Sequence, residues 1–392
     1  MLGIRAAWLF DGHSETLVER PLVLVDGSTI VDVRGAGEAP DGVRIADLGE
    51  AFLVPGMIDA HVHLCFDSST DVVGALAARD DAAALKQMRA AAHSALRAGI
   101  TTVRDLGDRG YLAMRLREEG GALPDILAAG PPITSVKGHC WFLGGEVQGV
   151  EGIRAAVRER AERGADVIKV MATGGELTQG THPHLPQFTV DELRAAVVEA
   201  HALGLPITAH AHGITGIRNA LDAGVDTIEH CSFMTADTAE ADPELVAALA
   251  NSDTVVSATL GHIPVPGLVL PPRIAALLEK LTEIFQQVTA AGVKLICTSD
   301  AGIGPAKPHN ALAYSALQFT EIGGDNIAAL RAITSAAASA CRVGGSKGRI
   351  AAGFDADIVA VQGNPLTDIT ALRRVVAVYK AGRPVADPAG PQ

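Results

Sequence analysis

Two kinds of apolar patterning run along this chain and divide it into flanks and a middle. Near the N-terminus, PLVLVDGSTIVDV is apolar and β-branched, as strands are, and is interrupted at Asp26-Gly27, a pair that favours a hairpin turn. Near the C-terminus, DADIVAVQG and RRVVAVYKAGRPV are similar short runs separated by Gly, Asn and Pro. The flanks, residues 1–55 and 345–392, predict one small β-sandwich domain assembled from both termini.

The middle, residues 56–344, alternates strand-like and helical patterns. Apolar strand segments fall near 57–64, 100–106, 125–130, 166–172, 206–211, 226–230, 254–260 and 293–299. Between them lie amphipathic stretches such as ALKQMRAAAHSALRAG and VDELRAAVVEAHALG, several closed by the Gly that stops a helix. Eight alternations predict an α/β fold, a (β/α)8 TIM barrel, over a doubly wound open sheet, which shows the same alternation. The Pro- and Gly-rich stretches GPPITSVKGHCWFLGG, TGGELTQGTHPHLPQ and GHIPVPGLVLPP each follow a strand and predict loops at the barrel mouth.

Composition narrows the class. Hydrophobic residues make up 48% and charged residues 20% of the 392, which suits a globular chain with a large core. A net charge of −13 argues against a nucleic-acid partner. No apolar run approaches the roughly 18 residues of a membrane span. The first residues turn acidic too soon for a secretory signal. Five cysteines with no CxxC spacing suit reduced thiols and a cytoplasmic location.

The histidines carry the chemistry. His-x-His occurs three times, at His61/His63, His182/His184 and His210/His212, where chance predicts well under one pair. In a strand, residues i and i+2 share a face, so His61 and His63 project together from the first barrel strand, as metal ligands must. Lys169, His210, His230 and Asp300 also fall at strand ends, which a barrel gathers into one mouth. A lysine in an apolar strand such as DVIKVMA is costly to bury charged. Either it pairs with a carboxylate such as Asp105, or its amine becomes neutral, takes up carbon dioxide and bridges two cations as a carbamate.

With these residues in place, the sequence resembles the amidohydrolase superfamily over nearly its full length. The resemblance rests on MIDAHVHL, VIKVMATGG, TAHAHG, IEH and TSDAG, with VPGMIDAH entering the barrel and KGRIAAGFDADIVAVQGNPL leaving it. It is similar to the imidazolonepropionase-related, prolidase-like branch, which includes Xaa-Pro, Xaa-Lys and Xaa-Arg dipeptidases and ochratoxin-hydrolysing amidases. The resemblance implies two divalent metal ions, zinc by default, bridged by N6-carboxylated Lys169. His61, His63 and Asp300 would hold one ion and His210 and His230 the other, with His212 the alternative to His210. It further implies a metal-bridging hydroxide that attacks the scissile carbonyl, with Asp300 as general base and then acid. His212, where relatives carry tyrosine, and His139 in the SVKGHCWFLGGE loop would contact substrate. A homo-oligomer is implied by analogy with the branch.

Substrate is less constrained. Phe66, Trp141, Phe142, Phe188 and Phe233 lie just beyond strand ends and suggest an apolar wall, while Lys137 beside His139 suggests a partner for a substrate carboxylate. The favoured substrate is therefore a small molecule, a dipeptide or N-acyl amino acid. Competing readings are a mononuclear deaminase, a hydrolase of imidazolone-type rings, cyclic amides, lactones, carbamates or phosphoesters, and a non-catalytic metal-binding protein. His13, His93, His201 and His309 are expected to be exposed or loosely bonded, and Arg104 and Asp105 to form buried ion-pair support.

Overall fold

The computed structural model describes residues 1–267 and 272–386, with side-chain environments in the eighth-strand approach helix given from residue 275. Its centre is eight parallel strands. The first three, Met57–Val62, Ile100–Asp105 and Asp125–Ala128, form one ladder. The other five, Ile168–Met171, Ile207–Gly213, Thr227–Met234, Val255–Thr259 and Leu295–Thr298, form a second.

Backbone contacts join the two ladders at both seams. Val62 bridges Ala301, with the Asp300 amide donating to the His61 carbonyl at 2.9 Å. On the other side Ile133 bridges Val170, and the Asp166 amide donates to the Ala128 carbonyl at 3.0 Å. The ring is a TIM barrel, with helices following its strands. Local chemistry sets their starts: Thr189 and Glu192 form a reciprocal capping box ahead of Val190–Ala202, and the Asp242 side chain caps Pro243–Ala250. The barrel and its helices share one large apolar cluster.

The flanking segments form two sheets. A four-stranded sheet holds Leu2–Arg5, Leu22–Asp26, Thr29–Arg34 and Arg44–Asp47. A six-stranded sheet mixes both ends of the chain, with Phe52–Pro55 paired antiparallel to Ile358–Val361. Ile4, Val23 and Ile30 from the first sheet and Leu53, Ile358 and Ala360 from the second share a separate apolar core. One detail differs from expectation. Asp26 pairs with Thr29, so the turn is centred on Gly27 and Ser28, and Gly27 takes the left-handed φ of +59°. No helix among the described residues is long and apolar enough to cross a membrane.

Candidate metal centre

His61 lies next to the end of the first strand, and its two ring nitrogens face different partners. Nδ1 lies 2.9 Å from Glu229 Oε2, and Nε2 points toward His63 Nε2 at 3.3 Å and Asp300 Oδ1 at 3.4 Å. His63 is set the same way, with Nδ1 3.1 Å from the Gly107 carbonyl and Nε2 3.4 Å from Asp300 Oδ1. A carbonyl only accepts, so His63 must carry its proton on Nδ1 and turn its Nε2 lone pair inward. Glu229 selects the same tautomer for His61. Burial and nearby Lys169 lower the His61 imidazole to about 4, so the ring is neutral. Two lone pairs and a carboxylate oxygen therefore converge at 3.3, 3.4 and 3.4 Å. That is the edge length of a tetrahedron whose centre lies about 2.0–2.1 Å from each corner, the zinc-to-nitrogen or -oxygen distance. The donor set fits a divalent cation.

Asp300 is turned into this group by a left-handed backbone, φ +56°. Burial alone would raise its carboxyl, but His61, His63 and Lys307 bring it down to about 2. Glu229, also buried, is held well below the usual carboxylate range by Arg104 and His61, against the cost of burial. It accepts from Arg104 at 2.9 Å, from the Thr208 hydroxyl at 2.6 Å and from the Thr227 hydroxyl at 3.2 Å.

A second group adjoins the first. His210, His212 and His230 each offer a ligand atom within 4.8 Å of the others, and the His61 and His230 rings are 5.1 Å apart. His210 Nε2 lies 3.0 Å from the Gly174 carbonyl, which leaves Nδ1 as its lone-pair nitrogen. His230 Nδ1 lies 2.9 Å from Thr259 Oγ1, and His212 Nδ1 lies 2.5 Å from Ser232 Oγ. Burial lowers the pKa of all three imidazoles, His212 to about 4.

Lys169 is 1% exposed, and its Nζ has no hydrogen-bond partner among the described residues. Burial lowers its pKa to about 8, with Glu229 and Asp300 opposing part of the fall. The expected alternative, pairing with Asp105, does not occur. Asp105 instead accepts the backbone amides of Leu64 and Gly107. An orphaned buried amine beside two groups of cation ligands suits the carbamate chemistry.

His61, His63, Lys169, His210, His212, His230 and Asp300 line one cavity of about 710 Å³. His139 belongs to it, buried, with its ring 4.7 Å from that of His210 and its Nδ1 unpartnered. Lys137 and Trp141 do not. Both are exposed, because the loop reverses through left-handed Lys137 and Cys140 and turns them away from the lining. The expected aromatic wall reduces to Phe66, since Phe188 and Phe233 are packed in the core. Leu177, Leu260, Ile263, Leu278, Leu281 and Ile303 make an aliphatic wall in its place. The segment 268–271 of the GHIPVPGLVLPP loop lies outside the described residues.

Two further expectations change. His309 is buried, its Nε2 3.0 Å from the Phe66 carbonyl. Arg104 does form a buried ion pair, but with Glu229 rather than Asp105. Glu229, His262 and Lys307 were not singled out as site residues, although the last two line the cavity. The five cysteines are free and buried, and burial pushes the cavity thiol Cys140 up to about 12, which keeps it protonated and a poor metal ligand.

Known proteins share this arrangement of chain. The amidohydrolase family model matches residues 52–385. An ochratoxinase of Aspergillus niger is 30% identical over 375 residues, covering 84% of this chain and 75% of that protein. An imidazolonepropionase of Salinispora tropica is 26% identical over 373 residues, covering 86% and 84%. The crystal structure of an Xaa-Pro dipeptidase with methionine bound in its active site matches with a TM-score of 0.85 and 28% identity, covering 98% of this chain and 99% of that one.

Proposed function

This chain belongs to the amidohydrolase family, in its prolidase- and ochratoxinase-like branch, and is a hydrolase of carbon–nitrogen bonds; we propose that it cleaves the amide bond of a dipeptide or N-acyl amino acid at a two-cation centre. The observation that carries this reading is the tetrahedral spacing of His61 Nε2, His63 Nε2 and Asp300 Oδ1 beside the partnerless amine of Lys169. His61, His63 and Asp300 would hold one cation, and His210 and His230 the other, with His212 the alternative. Lys169, carboxylated on Nζ, would lie between them. Nitrogen and carboxylate donors favour zinc and admit manganese, cobalt, nickel or iron. Bound there, the cations would acidify a water and polarise the scissile carbonyl.

The chain's own residues do the rest. Asp300, ionised on the cavity floor, accepts a proton from the attacking water and returns it to the departing nitrogen. The Ser232 hydroxyl can donate to His212 Nδ1, which puts the ring proton on Nε2 and makes it a donor for the carbonyl oxygen. His139, in the cavity lining, supplies a polar ring to the substrate. The aliphatic wall receives an apolar side chain or acyl group and excludes water around the reacting bond.

The same reading divides the chain into a barrel, 56–344, and a small β-sandwich, 1–55 with 345–392. It assigns a reducing, cytoplasmic compartment, supported by the free buried thiols and the composition, and a homo-oligomer by analogy with the branch alone.

The test is amine release. Zinc-loaded protein prepared with bicarbonate is screened against dipeptides and N-acyl amino acids, with Lys169→Ala as control. Release from a coherent set, absent in the control, is the expected result. A protein that holds about two cations and releases no amine would overturn the amide assignment and direct the screen to lactams, lactones and carbamates.

A further inference from the structure

Among the described residues lining the cavity, the positively charged side chains other than histidine are Lys169 and Lys307. Lys169 is committed to the cation centre by the reading above. Lys307 sits in the loop after the eighth strand, and that loop is tied down on several sides. Its backbone carbonyl accepts from the Gly302 amide at 2.8 Å and from the Ser68 hydroxyl at 3.2 Å, and the neighbouring Ala306 carbonyl accepts from Ile263 at 2.7 Å. The Lys307 ammonium donates to the Thr259 carbonyl at 2.9 Å and to the Ser299 carbonyl at 2.7 Å. An ammonium has three N–H donors, so one is left beyond these two carbonyls. The cation is held in place before any ligand arrives, which lowers the cost of binding an anion.

Its position relative to Asp300 says which anion. Ser299 precedes Asp300, the group proposed to protonate the leaving nitrogen. The amine half of the substrate must therefore sit with its nitrogen within hydrogen-bond reach of Asp300. In an N-acyl amino acid the carboxylate carbon is two bonds from that nitrogen, so the carboxylate falls in the neighbourhood of Asp300 as well. His262, the other polar candidate on this side, has both ring nitrogens engaged. Nδ1 lies 3.1 Å from the Leu260 carbonyl and Nε2 lies 3.1 Å from Gln318 Nε2. Ile303, four residues before Lys307, and Leu260 supply apolar surface for the side chain of the same amino acid.

We propose that Lys307 is the subsite for the free carboxylate of the amine half of the substrate, the role that its sequence neighbour to His139, Lys137, is too exposed to fill. The inference rests on the amide-hydrolase reading and gives that reading a polarity: the amino-acid half lies toward strands seven and eight. The metal-loaded enzyme and its Lys307→Met and Lys307→Arg variants are assayed on N-benzoyl-L-leucine and N-benzoyl-L-leucinamide. Binding of L-leucine and L-leucinamide is measured by calorimetry on the same preparations. The expected result is that the kcat/KM preference for the carboxylate substrate falls by about ten- to a hundred-fold in Lys307→Met, mainly through KM, and is largely kept in Lys307→Arg. L-leucine binding falls with it. Because the preference is a ratio within one preparation, partial misfolding cancels. An unchanged ratio in Lys307→Met, or an equal loss on both substrates, overturns the proposal and leaves Lys307 as a staple between two strand ends. If no preparation releases amine but L-leucine still binds in a Lys307-dependent way, the subsite stands and the amide reading falls.

Discussion

Glu229 decides how His61 can be used. Its carboxylate receives His61 Nδ1 on one oxygen and Arg104 and Thr208 on the other, so it fixes the imidazole tautomer and is itself held ionised. Replacing it with Gln keeps a hydrogen-bonding group of similar size but removes the charge that balances Arg104. Glu229→Gln is expected to weaken metal binding about 10–100-fold, as loss of a partner behind a metal ligand typically does. Leaving Arg104 buried without its counter-ion should also cost about 3–5 kcal/mol of stability. Titration with a chelator and a denaturation curve on the metal-free protein separate the two effects, and an unchanged metal affinity would rule out the orienting role. Lys169 makes a prediction of opposite character. Its amine titrates near 8, lowered by burial, so it is mostly protonated at pH 7 and mostly neutral at pH 9. Only the neutral amine takes up carbon dioxide. With dissolved carbon dioxide held constant, reloading of metal-free protein with zinc should therefore speed up from pH 7 to 9 and level off above about 9, and Lys169→Ala should lose this dependence.

At the scale of elements, apolar runs alternating with amphipathic helical stretches made the eight barrel strands legible, and the period-two rule applied to their side chains hid part of the site. If His230 faces inward on a regular strand, Glu229 faces outward, and so Glu229 attracted no notice in IEH. The sixth strand is not regular at its end. His230, Cys231 and Phe233 take left-handed φ values of 68°, 50° and 50°, and this lets adjacent residues serve one interior. Backbone held in that region by bulky residues costs on the order of 1–3 kcal/mol each and collects at functional sites. Lys307 escaped for another reason. It lies in a loop with no periodicity, and only tertiary folding brings it to Thr259 and Ser299. The fourth-strand loop carries a testable constraint of the same kind. A Cβ on Gly175 would stand 2.4 Å from His139 Cε1 and Nε2, a distance the ring must yield to. Gly175→Ala should lower kcat/KM on amide substrates about tenfold or more by displacing His139, while the far-ultraviolet circular dichroism stays that of the parent. Unaltered turnover would mean that His139 does not touch the substrate.

Across the whole molecule, the barrel and the terminal segments are joined by charge. Asp125 opens the third barrel strand, far along the strand axis from the catalytic mouth that the strand's other end faces. It meets Lys347 and Lys380, and these also bind Asp357, at 3.2 Å from Lys347 and 3.0 Å from Lys380, while Asp355 takes Lys347 at 2.6 Å. Three carboxylates around two ammonium groups resemble a cation site in donor type, but the lysines already supply the positive charge. Burial works against the charge on Lys347, and Asp357 and Asp125 overcome it, so its pKa is raised above the ordinary 10.5. A raised lysine contributes its full stabilisation below the unfolded value and loses it only in strong alkali. At neutral pH the network is therefore intact. Removing Lys347 leaves Lys380 to hold Asp125 and Asp357, and the partial exposure of Asp125 and Asp355 softens the penalty, so Lys347→Met should cost about 2–3 kcal/mol. The expected outcome is a melting midpoint lower by several degrees with kcat/KM on amide substrates within about twofold of the parent. A parallel fall in both would mean that the contact between the terminal segments and the barrel reaches the catalytic end, and that the network tunes the site as well as holding the molecule together.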